Sequence, residues 1–271
     1  MLVRSFESAT KGMLSLIESL DNTAMNLANV NTTGYKKTEL TFKNIYDAKV
    51  VENTGTVLCG NTRNIGTLSM GPKTDLIHYD FAPGAMQETG NPLDLAIEGD
   101  GFFKVQSQLG DVSYTRNGQF ILDSGSFLRT TEGDAVLDTQ DRPIQIDFRE
   151  IGFDDIKKIT IGQKGNIEIN DKDRKFTLEQ QIAVYDFQNK ETGIFNIGSS
   201  KFISRDNDTN PPILAEKFTI QQGMLEMSNS NVIKEMINTI NVTRNYESLQ
   251  KHVKTSGDML SQAIGVGRLK A

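Results

Sequence analysis

The residue sets in this chain that could do chemistry are few. Gly66-Thr67-Leu68-Ser69-Met70-Gly71-Pro72-Lys73-Thr74 has the outline of a phosphate-binding loop. That loop needs Gly-Lys-Ser/Thr in succession, and here Pro72 intrudes and removes an N–H from a segment that must offer N–H groups to phosphate. Asp206-Asn207-Asp208-Thr209-Asn210 resembles the start of a calcium loop. The sixth position, which must be Gly for the sharp turn, is Pro211, and the twelfth, which must be a bidentate Glu, is Lys217. A polar turn is the reading there. Asp94, Glu98 and Asp100 are close enough in sequence for paired acid–base work. Against that, Asp100 lies in a Gly99-Asp100-Gly101 turn, and Asp94 reads as the cap of a strand.

The remaining reactive residues are isolated. His78 has no Cys or second His near it, and His252 falls on a helix flank. Cys59 lies in a polar stretch with no neighbouring base to activate it. A single Cys excludes an internal disulfide framework. Asn31-Thr32-Thr33 and Asn241-Val242-Thr243 match glycosylation sequons, a pattern that recurs by chance. The expectation is a protein with no catalytic residues, no metal and no cofactor.

Composition narrows the classes further. The chain has 271 residues, 37% of them apolar and 24% charged, with a formal net charge of −6. Residues 46–220 carry most of the acid, while residues 1–45 and 221–271 are slightly basic. An acidic middle between nearly neutral ends leaves no basic footprint for nucleic acid. No apolar run is long enough to cross a membrane as a helix. The amino terminus lacks the apolar core of a cleaved secretory signal. That leaves a cytosolic protein, or one exported by a route that cleaves no signal.

All six prolines fall between positions 72 and 212. Their absence from both ends permits long helices there, and the apolar pattern asks for them. Leu2, Phe6, Ala9, Met13, Leu16, Leu20, Ala24 and Leu27 follow one another in steps of three and four, close to a heptad seam. Leu14, Ile17 and Ala28 widen the stripe. Gly34 can take the left-handed C′ conformation that stops a helix. At the other end Ser228 to Asn231 offer N-cap side chains. Val232, Ile233, Met236, Ile237 and Ile240 follow, then Val242, Tyr246, Leu249, Val253, Leu260 and Ala263. The register slips by a residue between Ile240 and Tyr246, which predicts a change of seam. The helix should run to about Gly265.

Between the ends, glycines recur among short apolar runs: Phe102–Val105, Phe120–Leu122, Ile144–Asp147, Ile159–Ile161, Asn166–Ile169 and Ile182–Phe187. That spacing predicts an antiparallel β domain. The fold class is therefore α+β, with long terminal helices pairing as a coiled coil around a discontinuous β-rich middle. The expected domains are 1–45 with 221–271 (helical, for polymerisation), 46–70 (extended arm or long loop) and 71–220 (β). A seamed helix cannot bury its seam alone. The two termini can pack on each other in one monomer, on another copy, or on both.

Four blocks carry a resemblance: Ala28-Asn29-Val30-Asn31-Thr32-Thr33-Gly34-Tyr35-Lys36, residues Asn91 to Phe103, Tyr114-Thr115-Arg116-Asn117-Gly118-Gln119-Phe120, and Gln222 to Val232 continuing to Arg244-Asn245-Tyr246-Glu247. In this order they resemble the bacterial flagellar rod and hook family. The resemblance implies a structural axial subunit without catalytic activity. It also implies polymerisation through terminal helices, neighbours among other rod and hook proteins, and passage through the flagellar export apparatus to the basal body. The length suits a rod member and is short for a hook member. Seamed helices at both ends are, independently, a self-association device. The expected assembly residues are Phe6, Met13, Leu16, Leu20, Leu27, Asn29, Asn31 and Gly34 with Ile240, Tyr246, Leu249, Val253 and Leu260. Two other readings stand beside this one. A β-domain binding module dimerised by its helices would show an exposed aromatic cluster, and a carboxylate hydrolase would show a pocket holding two close carboxylates.

Overall fold

The computed structural model describes residues 2–44, 47–53, 62–69, 71–146, 159–170, 175–205 and 210–268. The chain divides into two compact units, each built from separated segments.

The first unit comprises Met1–Leu27, Thr38–His78 and Asn231–Ala271. It holds an amino-terminal helix, Leu2–Ala28, and a carboxyl-terminal helix, Val232–Arg268. The second helix starts as its sequence asks. The Asn231 side chain accepts the backbone N–H of Lys234 at 3.1 Å, and its carbonyl accepts that of Glu235. Two β ribbons complete the unit. Thr38–Asn44 pairs with Pro72–Tyr79, and Asp47–Asn53 pairs antiparallel with Thr62–Ser69. The second ribbon lies in the stretch read as an extended arm or loop. Its paired backbones satisfy each other, so strands form there without an apolar alternation to announce them.

The second unit comprises Ala28–Lys37 and Tyr79–Ser230. Its main sheet has nine strands. The path runs Ile194–Gly198, Lys201–Ser204, Val112–Thr115, Phe102–Gln106, Ala135–Val136, Leu128–Thr130 and Phe120–Leu122, and Val184–Asp186 joins Phe102–Gln106 to Ile213–Leu214. A three-stranded sheet (Ile159–Ile161, Asn166–Asn170, Lys175–Gln181) and two short pairs complete it. Every pairing in these sheets with a stated direction is antiparallel, as the short runs predicted. Ile159 and Ile161 point inward with Thr160 exposed between them, the alternation of a half-buried strand.

One run differs from its prediction. Ile144 and Ile146 are fully buried, but the segment forms isolated bridges through Pro143 and Gln145 instead of a strand. Pro143 has no N–H to give a continuous ladder. Asp147 lies outside the described residues. The core is one aliphatic cluster, including Leu95, Ile97, Val105, Leu128, Ile167 and Val184, and one aromatic cluster of Phe102, Tyr114, Phe187 and Phe202. In the latter, Tyr114 meets Phe187 edge-on at 4.9 Å between centroids.

Candidate assembly site

On the amino-terminal helix, Met13, Leu16, Leu20 and Leu27 are half-buried. Phe6 is exposed, as are Leu14 and Ile17 beside it. Much of the contact holding this helix is polar. Asn22 and Asn26 both donate their side-chain amides to the Thr38 carbonyl, at 2.9 and 2.8 Å. Asn26 also accepts the Thr38 N–H at 3.0 Å and is almost completely buried. The Ser15 hydroxyl reaches the Pro72 carbonyl. These hydrogen bonds fasten the helix to the first ribbon. The sequence reading passed over them because neither Asn lies on the Leu20–Ala24–Leu27 seam, and polar residues off a seam read as a solvated face.

The carboxyl-terminal helix has two faces. Glu235 is buried, and Thr239, Val242, Tyr246, Leu249, Val253 and Ser256 are half-buried, in steps of four and three. This is a heptad seam. Ile233, Met236, Ile237 and Ile240 lie on other faces, and Ile233 is 69% and Ile237 52% exposed. The register slip in the sequence is thus two stripes on different sides of one continuous helix. Ile240 does not belong to the seam of Tyr246, Leu249 and Val253. Leu260 is exposed although its spacing continues the seam, and the Ala263 side chain lies outside the described residues. The helices approach at Gly12, where a Cβ would stand 3.4 Å from Leu249 Cδ1. The structure therefore places Leu249 beside Gly12, and it leaves Phe6, Ile240 and Leu260 exposed.

The block around Asn29, Asn31 and Gly34 belongs to the β unit. Gly34 has φ +66°, the left-handed conformation expected of it. It does not cap the helix, however: its N–H goes to the Glu226 carbonyl at 2.8 Å. A Cβ there would lie 2.4 Å from the Asn117 nitrogen, so only glycine fits. Asn29 accepts the Thr32 N–H in the turn after the helix, and Asn31 is exposed.

Two residues beyond Gly34, Lys36 enters a charged node. Its ammonium donates to Glu226 Oε1 at 2.7 Å and to the Ala82 carbonyl at 2.9 Å. Arg116 donates to Glu226 Oε2 at 3.1 Å, to the Ile97 carbonyl at 3.3 Å and to the Gly99 carbonyl at 2.8 Å. The Gly84 N–H completes the carboxylate's shell at 3.0 Å. The Glu226 side chain is 0% exposed, Lys36 1% and Arg116 4%. Burial pulls the Lys36 pKa below its usual value even though Glu226 pulls it back. Two cations on one carboxylate leave the node with a net positive charge, tempered by backbone carbonyls and by the Phe102 ring, 5.4 Å from the Arg116 guanidinium. Sequence reasoning quoted all three charged residues inside resemblance blocks but gave none a role. They stand up to 190 positions apart, and no local spacing links them.

The other candidate chemistry disperses. Asp94 takes the Thr89 hydroxyl and the Asn91 amide, Asp100 takes Lys190, and Glu98 takes Gln221. A groove of about 510 Å³ on the β unit is lined by Asp111, Ser113, Asp134, Ile197 and Lys201, among others. Lys201 binds both Asp134 and Glu132. Burial opposes its charge, yet these hydrogen bonds hold its pKa above the usual value. Asp134 is thereby held in an ion pair with Lys201. Phe102, Tyr114, Phe187 and Phe202 pack on one another inside the β unit, and among its described residues Phe195, 37% exposed, is the only aromatic of the exposed large apolar side chains. His252 is exposed on its helix, and His78 lies in Pro72–Tyr79. Cys59 and Asp206 to Thr209 lie outside the described residues. Among the described residues no group of His, Cys, Asp and Glu could hold a metal ion, and no helix is long and apolar enough to cross a membrane.

Long helices with apolar stripes, a ribbon fastened to one of them and a dense β unit define a structural subunit. Comparison with known proteins gives the family. Residues 96–169 match the family model of the flagellar hook protein FlgE/F/G D1 domain, and residues 221–266 match that of the flagellar basal body rod FlgEFG protein C-terminal domain. The chain is 32% identical to the flagellar basal-body rod protein FlgG of Bacillus subtilis, over 98% of this chain and 100% of that protein. It is 34% identical to FlgG of Borreliella burgdorferi over the same shares, and 31% identical to the rod protein FlgF of Mesorhizobium japonicum over 95% and 96%. The chain belongs to the flagellar basal-body rod and hook family, a family of structural proteins of the basal body and not a class of enzymes.

Proposed function

We propose that this protein is an axial subunit that polymerises through its terminal helices into the distal part of the flagellar rod and transmits torque from motor to hook. Its neighbours in this reading are further copies of itself and other rod and hook proteins. It reaches them through the flagellar export apparatus without a cleaved signal. The observation that carries the reading is the carboxyl-terminal helix, which bears one half-covered seam and a second, exposed apolar stripe. A helix of a lone monomer has no use for the second stripe. In the same reading the seam residues Met13, Leu16, Leu20 and Leu27 pair with Tyr246, Leu249 and Val253 as a coiled coil.

The test is a concentration series of the full-length protein by light scattering, with electron microscopy of the large species. Tubular filaments, seeded if necessary, are expected. A Leu20→Asp, Val253→Asp double variant should not form them, because a charge buried unpaired in a seam is costly. Filaments from that variant would refute the seam as a structural element of the assembly. A second reading, the proximal rod, is favoured by the FlgF relatives. Complementation of cells lacking FlgG and of cells lacking FlgF separates the two.

A further inference from the structure

The chain passes between its two units four times, at 27/28, 37/38, 78/79 and 230/231. Three of these passages are bound to one another by residues that all belong to the β unit. The Asn229 side chain stands between them. Its oxygen accepts the Lys37 N–H at 2.8 Å, and its amide donates to the carbonyls of Asp80 at 2.7 Å and Ala82 at 3.1 Å. The Asp80 N–H in turn goes to the Lys37 carbonyl at 2.8 Å. Three residues earlier, Glu226 holds the same two stretches. Its carboxylate takes Lys36 at 2.7 Å and the Gly84 N–H at 3.0 Å, and its carbonyl takes the Gly34 N–H at 2.8 Å. Both backbone groups of Lys37, the last residue before a passage, are thus bonded within the β unit. A hinge would leave such groups to water.

We infer that Asn229, backed by Glu226, is a strap that keeps these three passages side by side whether or not the helical unit is folded, and that the helical unit of a single copy depends on it to form. The inference does not rest on the assembly proposed above. The helical unit is built from three separated stretches of sequence. Lys37 and Asn229, which precede two of them, lie 192 positions apart. Closing so long a loop costs entropy that grows with its length. The strap closes it inside the β unit, where the burial of an apolar core supplies the free energy. The stretches beyond the passages then meet at the effective concentration of a short link. Support runs one way, from the β unit to the helices.

Amide hydrogen exchange of the full-length chain, read by NMR below the concentration of assembly, tests this. In Asn229→Ala the Lys37 amide should exchange about tenfold faster or more. The amides of both terminal helices should speed up by a similar factor, although no residue of the helical unit is changed. Those of the central strand Phe102–Gln106 should keep the parent's rate. Leu20→Asp tests the other direction: the helices should lose protection while Lys37 and Asp80 keep theirs. Helices that exchange at the parent's rate in Asn229→Ala overturn the strap. So do Lys37 and Asp80 amides that open together with the helices in Leu20→Asp, and so do parent helices that exchange as fast as an unfolded chain. If Asn229→Ala strips protection from Phe102–Gln106 as well, Asn229→Asp takes its place, since it keeps the acceptor for Lys37 and loses both donations. Its helices should still exchange faster than the parent's, and an unchanged rate overturns the inference.

Discussion

The two units of this chain differ in what they do with their apolar residues. The β unit hides its apolar residues: Leu95, Phe103, Val105, Leu128 and Phe202 have no exposed surface. The helical unit hides polar residues, Asn26, Thr23 and Ser15, and leaves Ile233, Ile237, Ile240, Leu14 and Ile17 in the open. The first pattern is that of a body that folds on its own, since burial of apolar surface is the dominant favourable term in folding. The second is that of an element whose apolar burial is unfinished. Among the described residues the β unit also holds a buried charge cluster. Glu226, Lys36 and Arg116 sit in the β unit and join three distant stretches of sequence there.

The largest break in this contrast should come from Glu226→Ala. It leaves two buried cations without their carboxylate, and removing one partner of a buried charge set costs about 3–5 kcal/mol. Denaturant melts of the β-unit signal should show it, and a loss below about 1 kcal/mol would mean that the node is hydrated. Next is Gly118→Ala. A Cβ there would lie 1.6 Å from the Leu95 carbonyl oxygen, so the backbone must move. Thermal unfolding should register about 3 kcal/mol. Asn26→Ala should cost about 1–3 kcal/mol by stranding the buried Thr38 backbone groups. That loss should show in the helical signal, with the β unit unaffected; a shift of both together would deny that the units are separate.

The smallest effect is one of pH. Burial, with Tyr185 and Asp141 alongside, pushes the Tyr114 phenol up to about 12. Below about pH 10 the phenol is neutral folded or unfolded and stability does not depend on it. Above that the unfolded chain ionises first, so stability falls as pH rises toward 12, by at most about 1.4 kcal/mol per unit. Comparing Tyr114→Phe with its parent at about pH 9 and about pH 11 should find a shallower loss in the variant. Equal slopes would place the alkaline loss elsewhere.

Local pattern carried much of this architecture. The stretches free of proline and stepped by three and four became the two helices, and the Ile-Thr-Ile and Asn-Ile-Glu-Ile runs became strands, because periodicity is a property of neighbouring residues. The four blocks identified the family before any fold was known. The ribbon of Asp47–Asn53 with Thr62–Ser69 was not legible as strands, because backbone pairing does not need side-chain alternation.

The sequence by itself determined that both ends are helices with more apolar surface than one seam can use. Only the tertiary structure decided which stripe is which. Ile240 and Tyr246 look like one seam out of register when read along the chain, and the burial of Thr239, Val242 and Tyr246 beside an exposed Ile240 separates them. Likewise only the fold could bring Lys36 to Glu226, 190 positions away. A buried ion pair is set by which strands lie side by side, and that depends on the packing of the whole unit, not on any window of sequence.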